Sequence, residues 1–219
     1  MHAATKTRFA LLGIVAGAAA LRLANLGGED LWLDECITAE FASEPTLAGL
    51  FDRLSGDVSS PLAYLLVRLS LSLESHLGLE FALRLPSALA GIASVPLVFL
   101  FVQGRLGSRA GLLAASFLAV HSQDVHHARE ARFYALVLFF ALLLHLAVDR
   151  LRASWRLRDA VVVGGVGGAL GLTHVLALPL VAAEFLLLAV SAWRAKDERA
   201  RHLARVVLSV GVFAVLTLP

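Results

Sequence analysis

The sequence predicts an all-α integral membrane protein, a multi-spanning bundle of about seven helices with further helices lying in a large first outer loop. Three observations carry this. Apolar residues make up 58% of the 219-residue chain and charged residues only 16%, with a mean hydropathy of +0.78, whereas soluble domains are ~45–50% apolar. The apolar residues fall in runs that approach the roughly 20 residues a helix needs to cross a bilayer. Finally, 13 of the 19 Lys and Arg sit in four short segments between those runs, as expected for cytoplasmic connections.

Taken in order, the first run (9–26) follows Lys6 and Arg8. It lacks a small-x-small site followed by a polar segment, so it reads as a retained signal-anchor helix. The next run, 61–73, is short for a span and carries Arg68, with Glu74 just beyond it. If it crossed, Lys6/Arg8 and Arg105/Arg109 would lie on opposite sides. If it lies in the interface, those two segments share the cytoplasmic side with Arg150/Arg152/Arg156/Arg158 and with Arg194/Lys196/Arg199/Arg201/Arg205. The second arrangement obeys the positive-inside rule throughout. The spans are then 9–26, 85–103, 109–125, 131–149, 159–173, 176–193 and 205 to the end, with the N-terminus cytoplasmic.

On this map the outer side receives a long first loop (27–84), a short second loop (122–131) and a turn at His174. Residues 27–58 hold eight acidic residues against one basic, an excess that topology does not require. Gly164, Gly165, Gly167, Gly168 and Gly171 form a small-residue face suited to close helix packing. No Walker lysine or Rossmann context accompanies them, so they do not read as a nucleotide loop. The net charge of +2 and the pI near 9.1 follow from charge sorted by membrane side and do not indicate nucleic acid. The single cysteine, Cys36, excludes an intrachain disulfide and reads as a small buried residue.

Two polar clusters face the outer compartment. The first loop opens "GGEDLWLDECITAEF", with Asp34 and Glu35 adjacent. The second reads "HSQDVHHAREARFYAL" and gathers Asp124, His126, His127, Glu130, Arg132 and Tyr134. Carboxylates, imidazoles and guanidinium at the edge of hydrocarbon are costly unless they form a site. The residue types suit an anionic ligand with an apolar part. Arg132 is fitted to clamp a phosphate, and His126 and His127 to donate to its oxygens or to bind metal. Asp34 or Glu35 is fitted to act as general base, or to share a divalent cation (Mg or Mn) with Asp124 or Glu130. Each also has a structural reading: Asp34 as the cap of a helix starting at Glu35, Arg129 and Arg132 as interfacial or paired with Glu130, and Trp32 and Tyr134 as interfacial aromatics.

The order "LWLDE", "SSPLAYLLVRL", "ALRLPSALAGIASVPLVFL", "HHAREARFYAL" and "GLTH" resembles the GT-C superfamily of membrane glycosyltransferases. It is most similar to the bacterial relatives of protein O-mannosyltransferases and aminoarabinose transferases in glycosyltransferase family 39. The resemblance implies transfer of a hexosyl or pentosyl group from a polyprenyl-phosphate-linked sugar to a hydroxyl of a lipid, glycan or protein. It places that reaction on the periplasmic face of the bacterial inner membrane. It also implies catalytic roles for Asp34 and its neighbour Glu35, and donor or phosphate binding by Glu130, Arg132, Tyr134 and His174, a set that His126 and His127 join on their own chemistry. The metal set read from the residues is Asp34, Asp124 and Glu130. Residues 1–219 are read as one transmembrane domain, the N-terminal part of a longer family architecture. The alternative is a non-catalytic membrane scaffold or a transporter-like subunit. A transporter would concentrate ionisable residues at the midplane, whereas here they appear at the outer boundary, Arg22 being the nearest exception.

Overall fold

A computed structural model describes residues 2–55 and 61–217, with side chains from Thr5 onward. The end of the acidic stretch (56–58), the two serines before Pro61 and the last two residues of the seventh predicted span lie outside the described residues. Among the described residues the chain is helical without strands. Its helices are α1 His2–Leu23, α2 Leu33–Ala42, α3 Leu47–Ser55, α4 Pro61–Leu71, α5 Glu74–Leu77, α6 Leu79–Leu106, α7 Ser108–Val120, α8 Ser122–Ala128, α9 Tyr134–Ser154, α10 Leu157–Gly171, α11 Leu178–Arg194 and α12 Arg199–Thr217.

Four segments are long and apolar enough to cross a membrane: Leu79–Leu106, Tyr134–Ser154, Val175–Arg194 and Lys196–Thr217. This all-α chain is a multi-pass membrane protein. Length accounts for two of the three other expected spans. At ~1.5 Å per residue, the 13 residues of α7 and the 15 of α10 reach about 20 and 22 Å, short of a hydrocarbon core of about 30 Å. The 22 residues of α1 are sufficient in length but include Lys6, Arg8 and Arg22.

The chain divides into two compact units, Met1–Phe139 and Phe140–Pro219. In the first, α1, α6 and α7 meet through Ala18, Val95, Phe99, Ala115 and Ala119, with Leu11, Ile14 and Val15 packed around them. Small side chains here let helix backbones approach closely, as suits helices in lipid. Gly91 on α6 has the same role, because a Cβ there would lie 2.6 Å from Ala128 Cβ and 3.0 Å from Arg22 Nε. The four helices α2 to α5 fill the first loop. Ala42, Val67, Leu83 and Ala131 tie α2 and α4 to α6, while Leu50, Leu54 and Tyr64 bury the inner face of α3. Arg68, expected to mark a helix at headgroup level, donates to the carbonyls of Ala42 and Pro45 (both 3.2 Å) and of Glu44. It thereby satisfies carbonyls at the end of α2, as cations near helix C-termini do.

In the second unit, the expected glycine face packs α10 on α12. A Cβ on Gly164 would stand 2.4 Å from Ser209 O, and one on Gly168 would stand 2.8 Å from Leu216 Cδ1, whereas Gly165 faces open space. Ser209 Oγ donates to Ala160 O at 2.9 Å across this interface. Glu184 of α11 is buried and paired with His145 in the middle of α9. Ionisable side chains therefore stand inside predicted spans as well as at their outer boundary, which corrects the expectation drawn from the charge pattern.

Candidate active site

The acidic pair lies in the first turn of α2. Trp32 is the N-cap residue and the helix begins at Leu33, so Asp34 is not the cap. Adjacent residues on a helix point about 100° apart, and the two carboxylates part company accordingly. Glu35 turns inward and is fully buried. Its Oε1 accepts from Arg84 Nε at 2.9 Å and from the Ala131 N–H at 2.8 Å, and its Oε2 accepts from Arg84 Nη2 at 2.7 Å. Burial by itself raises the Glu35 carboxyl, but the hydrogen bonds from Arg84 and Ala131, with the Arg84 charge, outweigh it and hold the pKa below the ordinary value. Glu35, expected as half of a catalytic pair, has both carboxylate oxygens engaged by Arg84 and the Ala131 N–H.

Arg84 is the anchoring residue that the sequence analysis passed over. It is 5% exposed and also donates to the carbonyls of Leu26 (2.9 Å), Glu29 (2.9 Å) and Asp30 (3.1 Å). It thereby fastens the connection between α1 and α2 to the head of α6. A lone arginine at the start of an apolar span, two residues before a proline, was the available signal.

Asp34 turns outward and retains 35% side-chain exposure, with Oδ2 3.5 Å from Arg132 Nη2. The two predicted clusters thus meet at this contact. Arg132 is held from behind: its carbonyl accepts from Ser87 Oγ at 2.8 Å, and its guanidinium lies 5.2 Å from the Phe133 ring centroid. Its Nε is buried and, among the described residues, has no hydrogen-bond partner. A buried donor left unfilled costs free energy unless something else accepts from it.

His126 Nε2 and His127 Nδ1 each lie 3.1 Å from one oxygen of Glu130, and the ring of Tyr134 packs on His127 at 4.6 Å. Among the described residues, His126, His127 and Glu130 are the group of potential ligands whose donor atoms converge, all within 4.8 Å of one another. The expected set of Asp34, Asp124 and Glu130 does not gather. Asp124 is instead buried against Arg22, whose guanidinium also donates to the carbonyls of Ala18 (3.3 Å), Leu118 (3.1 Å) and Ala119 (3.0 Å). An arginine within an apolar helix requires a counter-charge, and Asp124 supplies it. Arg129 likewise does not pair with Glu130 but donates to Leu21 O (3.1 Å), Ala24 O (2.6 Å) and Asn25 O (3.3 Å), closing the end of α1. His174 belongs to the second unit, where its Nδ1 accepts from the Leu176 N–H at 3.2 Å. Cys36, expected to be buried, is exposed.

A partly exposed carboxylate beside a partly buried arginine thus stands at the head of the helices of a multi-pass membrane protein. Residues 58–217 match the family described as dolichyl-phosphate-mannose-protein mannosyltransferase, and the chain belongs to that family and with it to the GT-C type of membrane glycosyltransferase. The matched segment includes Arg84, His126, His127, Glu130, Arg132, Tyr134 and His174, and begins after Asp34 and Glu35. No curated protein and no solved structure matches the chain.

Proposed function

We propose that the protein transfers a sugar from a polyprenyl-phosphate carrier to a hydroxyl acceptor on the outer face of a bacterial inner membrane. The observation that carries this is the Asp34–Arg132 contact, in which an accessible carboxylate stands beside a guanidinium with a buried, unfilled Nε donor. The family description, which names a lipid-phosphate sugar donor, supports the same substrate class. The topology that goes with the reading has a cytoplasmic N-terminus, with α1, α7 and α10 completing the membrane bundle and α4 at the level of the headgroups.

In this reading the carrier phosphate occupies the Arg132 fork and draws it away from Asp34. The freed carboxylate then takes the proton of the acceptor hydroxyl. The acceptor oxygen attacks the anomeric carbon on the face opposite the phosphate while the bond from that carbon to the phosphate oxygen breaks. The electron pair leaves with the polyprenyl phosphate, whose developing charge Arg132 stabilises, and the anomeric centre inverts. Glu35 acts by holding α2 in place, and Tyr134 and the two histidines bound the donor side. His174 has a part in donor binding by family resemblance.

The test is equilibrium binding of radiolabelled polyprenyl-phosphate sugars to the purified full chain. Saturable binding to the wild type that weakens at least about tenfold in Arg132→Ala is the expected result, in line with loss of one charge-assisted contact. Equal binding by both would remove Arg132 from the donor site. A non-catalytic scaffold would bind no donor while remaining folded.

A further inference from the structure

We propose that His126, His127 and Glu130 form a binding site for a zinc-like divalent transition metal. The inference rests on these ligand atoms and is independent of the Asp34–Arg132 reading. His126 and His127 occupy the last turn of α8, and Glu130 follows in the turn that leaves it. This local spacing brings one nitrogen from each ring and the carboxylate into a cluster whose ligand atoms all lie within 4.8 Å of one another. Each imidazole nitrogen is 3.1 Å from a Glu130 oxygen. That is close to the ~3.3 Å edge of a tetrahedron whose metal bonds are about 2.0–2.1 Å long. The three groups stand close enough together for one ion to take a ligand atom from each.

The donor set selects the metal. Two imidazoles and one carboxylate suit Zn²⁺, Co²⁺ or Mn²⁺, whereas Mg²⁺ and Ca²⁺ favour all-oxygen shells. Three protein ligands leave a position open. The burial pattern fits an open site: the Glu130 side chain is 12% exposed and the His126 side chain 63%. A cavity of about 170 Å³ is lined by His126, Glu130, Arg129, Glu29 and Asp30, with room for a water or an anionic oxygen as further ligand. The Tyr134 ring against His127 limits the movement of one ligand, and Glu130 is shielded from bulk water. The metal set considered from the sequence is replaced by this one, because Asp124 is committed to Arg22.

The test uses the full chain in detergent, stripped with chelator, with Zn²⁺ in competition against a chromophoric chelator and Co²⁺ followed by its visible absorption. The expected result is one tight Zn²⁺ per chain and a Co²⁺ spectrum of low coordination number. Millimolar Mg²⁺ should fail to displace either ion. His126→Ala, the most exposed of the three, should weaken Zn²⁺ by at least about tenfold, and the His126→Ala/His127→Ala pair should abolish the stoichiometric site. His76→Ala, in the short helix α5, should leave it unchanged. Zn²⁺ affinity unaltered by His126→Ala in a chain that elutes as wild type overturns the proposal. So does a wild-type chain that binds no stoichiometric metal, or one whose metal Mg²⁺ displaces. None of these results bears on donor binding by Arg132, which is measured separately.

Discussion

Replacing Glu35 by Gln tests whether this carboxylate is a structural clamp or a catalytic group. Glu35 is fully buried and Arg84 is 5% exposed, so the substitution leaves a guanidinium buried with carbonyl partners only. Breaking a buried pair from one side costs about 3–5 kcal/mol. In a chain of this size that corresponds to roughly 6–20 °C in apparent melting temperature. The partner substitution Arg84→Met should cost a similar amount, because it leaves the Glu35 carboxylate buried with backbone N–H donors only. The double variant Glu35→Leu/Arg84→Met should recover much of the loss, since an apolar pair of similar volume removes both uncompensated charges. The assay is thermal aggregation of detergent-purified chain, with donor transfer measured in parallel well below the melting point.

The sign of the pH dependence follows from the lowered Glu35 pKa. The stabilisation from this group is complete above the ordinary carboxylate range. It is lost as pH falls through the lower folded-state value, and the double variant should lack this acid sensitivity. If Glu35→Gln melts within about 2 °C of wild type yet loses transfer, the clamp assignment is wrong and Glu35 belongs to the chemistry.

Other substitutions test the packing on which the site depends. Gly164→Ala should destabilise by about 1–3 kcal/mol, because its Cβ would meet backbone at Ser209 O, whereas Gly165→Ala faces open space and should be neutral or mildly stabilising; parallel melting curves read the difference. Asp124→Asn should lower stability by several kcal/mol by leaving Arg22 buried with carbonyls alone. Arg22→Met in the same background should restore part of it, and simple additivity of the two losses would contradict the pairing.

The all-α membrane class was legible because apolar composition and the clustering of Lys and Arg report directly on the bilayer as solvent. The convergence of the two loops was legible in outline, since charges at a membrane edge demand partners, and Asp34 does meet Arg132. What escaped was which partner each charge takes. Asp34 and Glu35 are neighbours in sequence but a helix sends them to opposite surroundings, and only the position of α6 reveals that Arg84 claims one of them. Asp124 read as a metal ligand because its partner Arg22 lies about a hundred residues away. The His145–Glu184 pair was missed for the same reason, two mid-helix residues being joined only when their helices pack. Span count was the weakest inference, because charge pattern constrains sidedness while α7 and α10 fall short in length.

The central claim is that Asp34 removes the proton from the acceptor in a glycosyl transfer from a lipid phosphate. The most direct measurement is single-turnover transfer from a radiolabelled polyprenyl-phosphate sugar by wild type and Asp34→Asn, with donor binding and melting temperature determined on the same preparations. The account predicts that Asp34→Asn folds and binds donor as wild type does but transfers at least about 10²-fold more slowly, the lower end of what a positioned general base contributes. Transfer at the wild-type rate by a folded Asp34→Asn chain would contradict it.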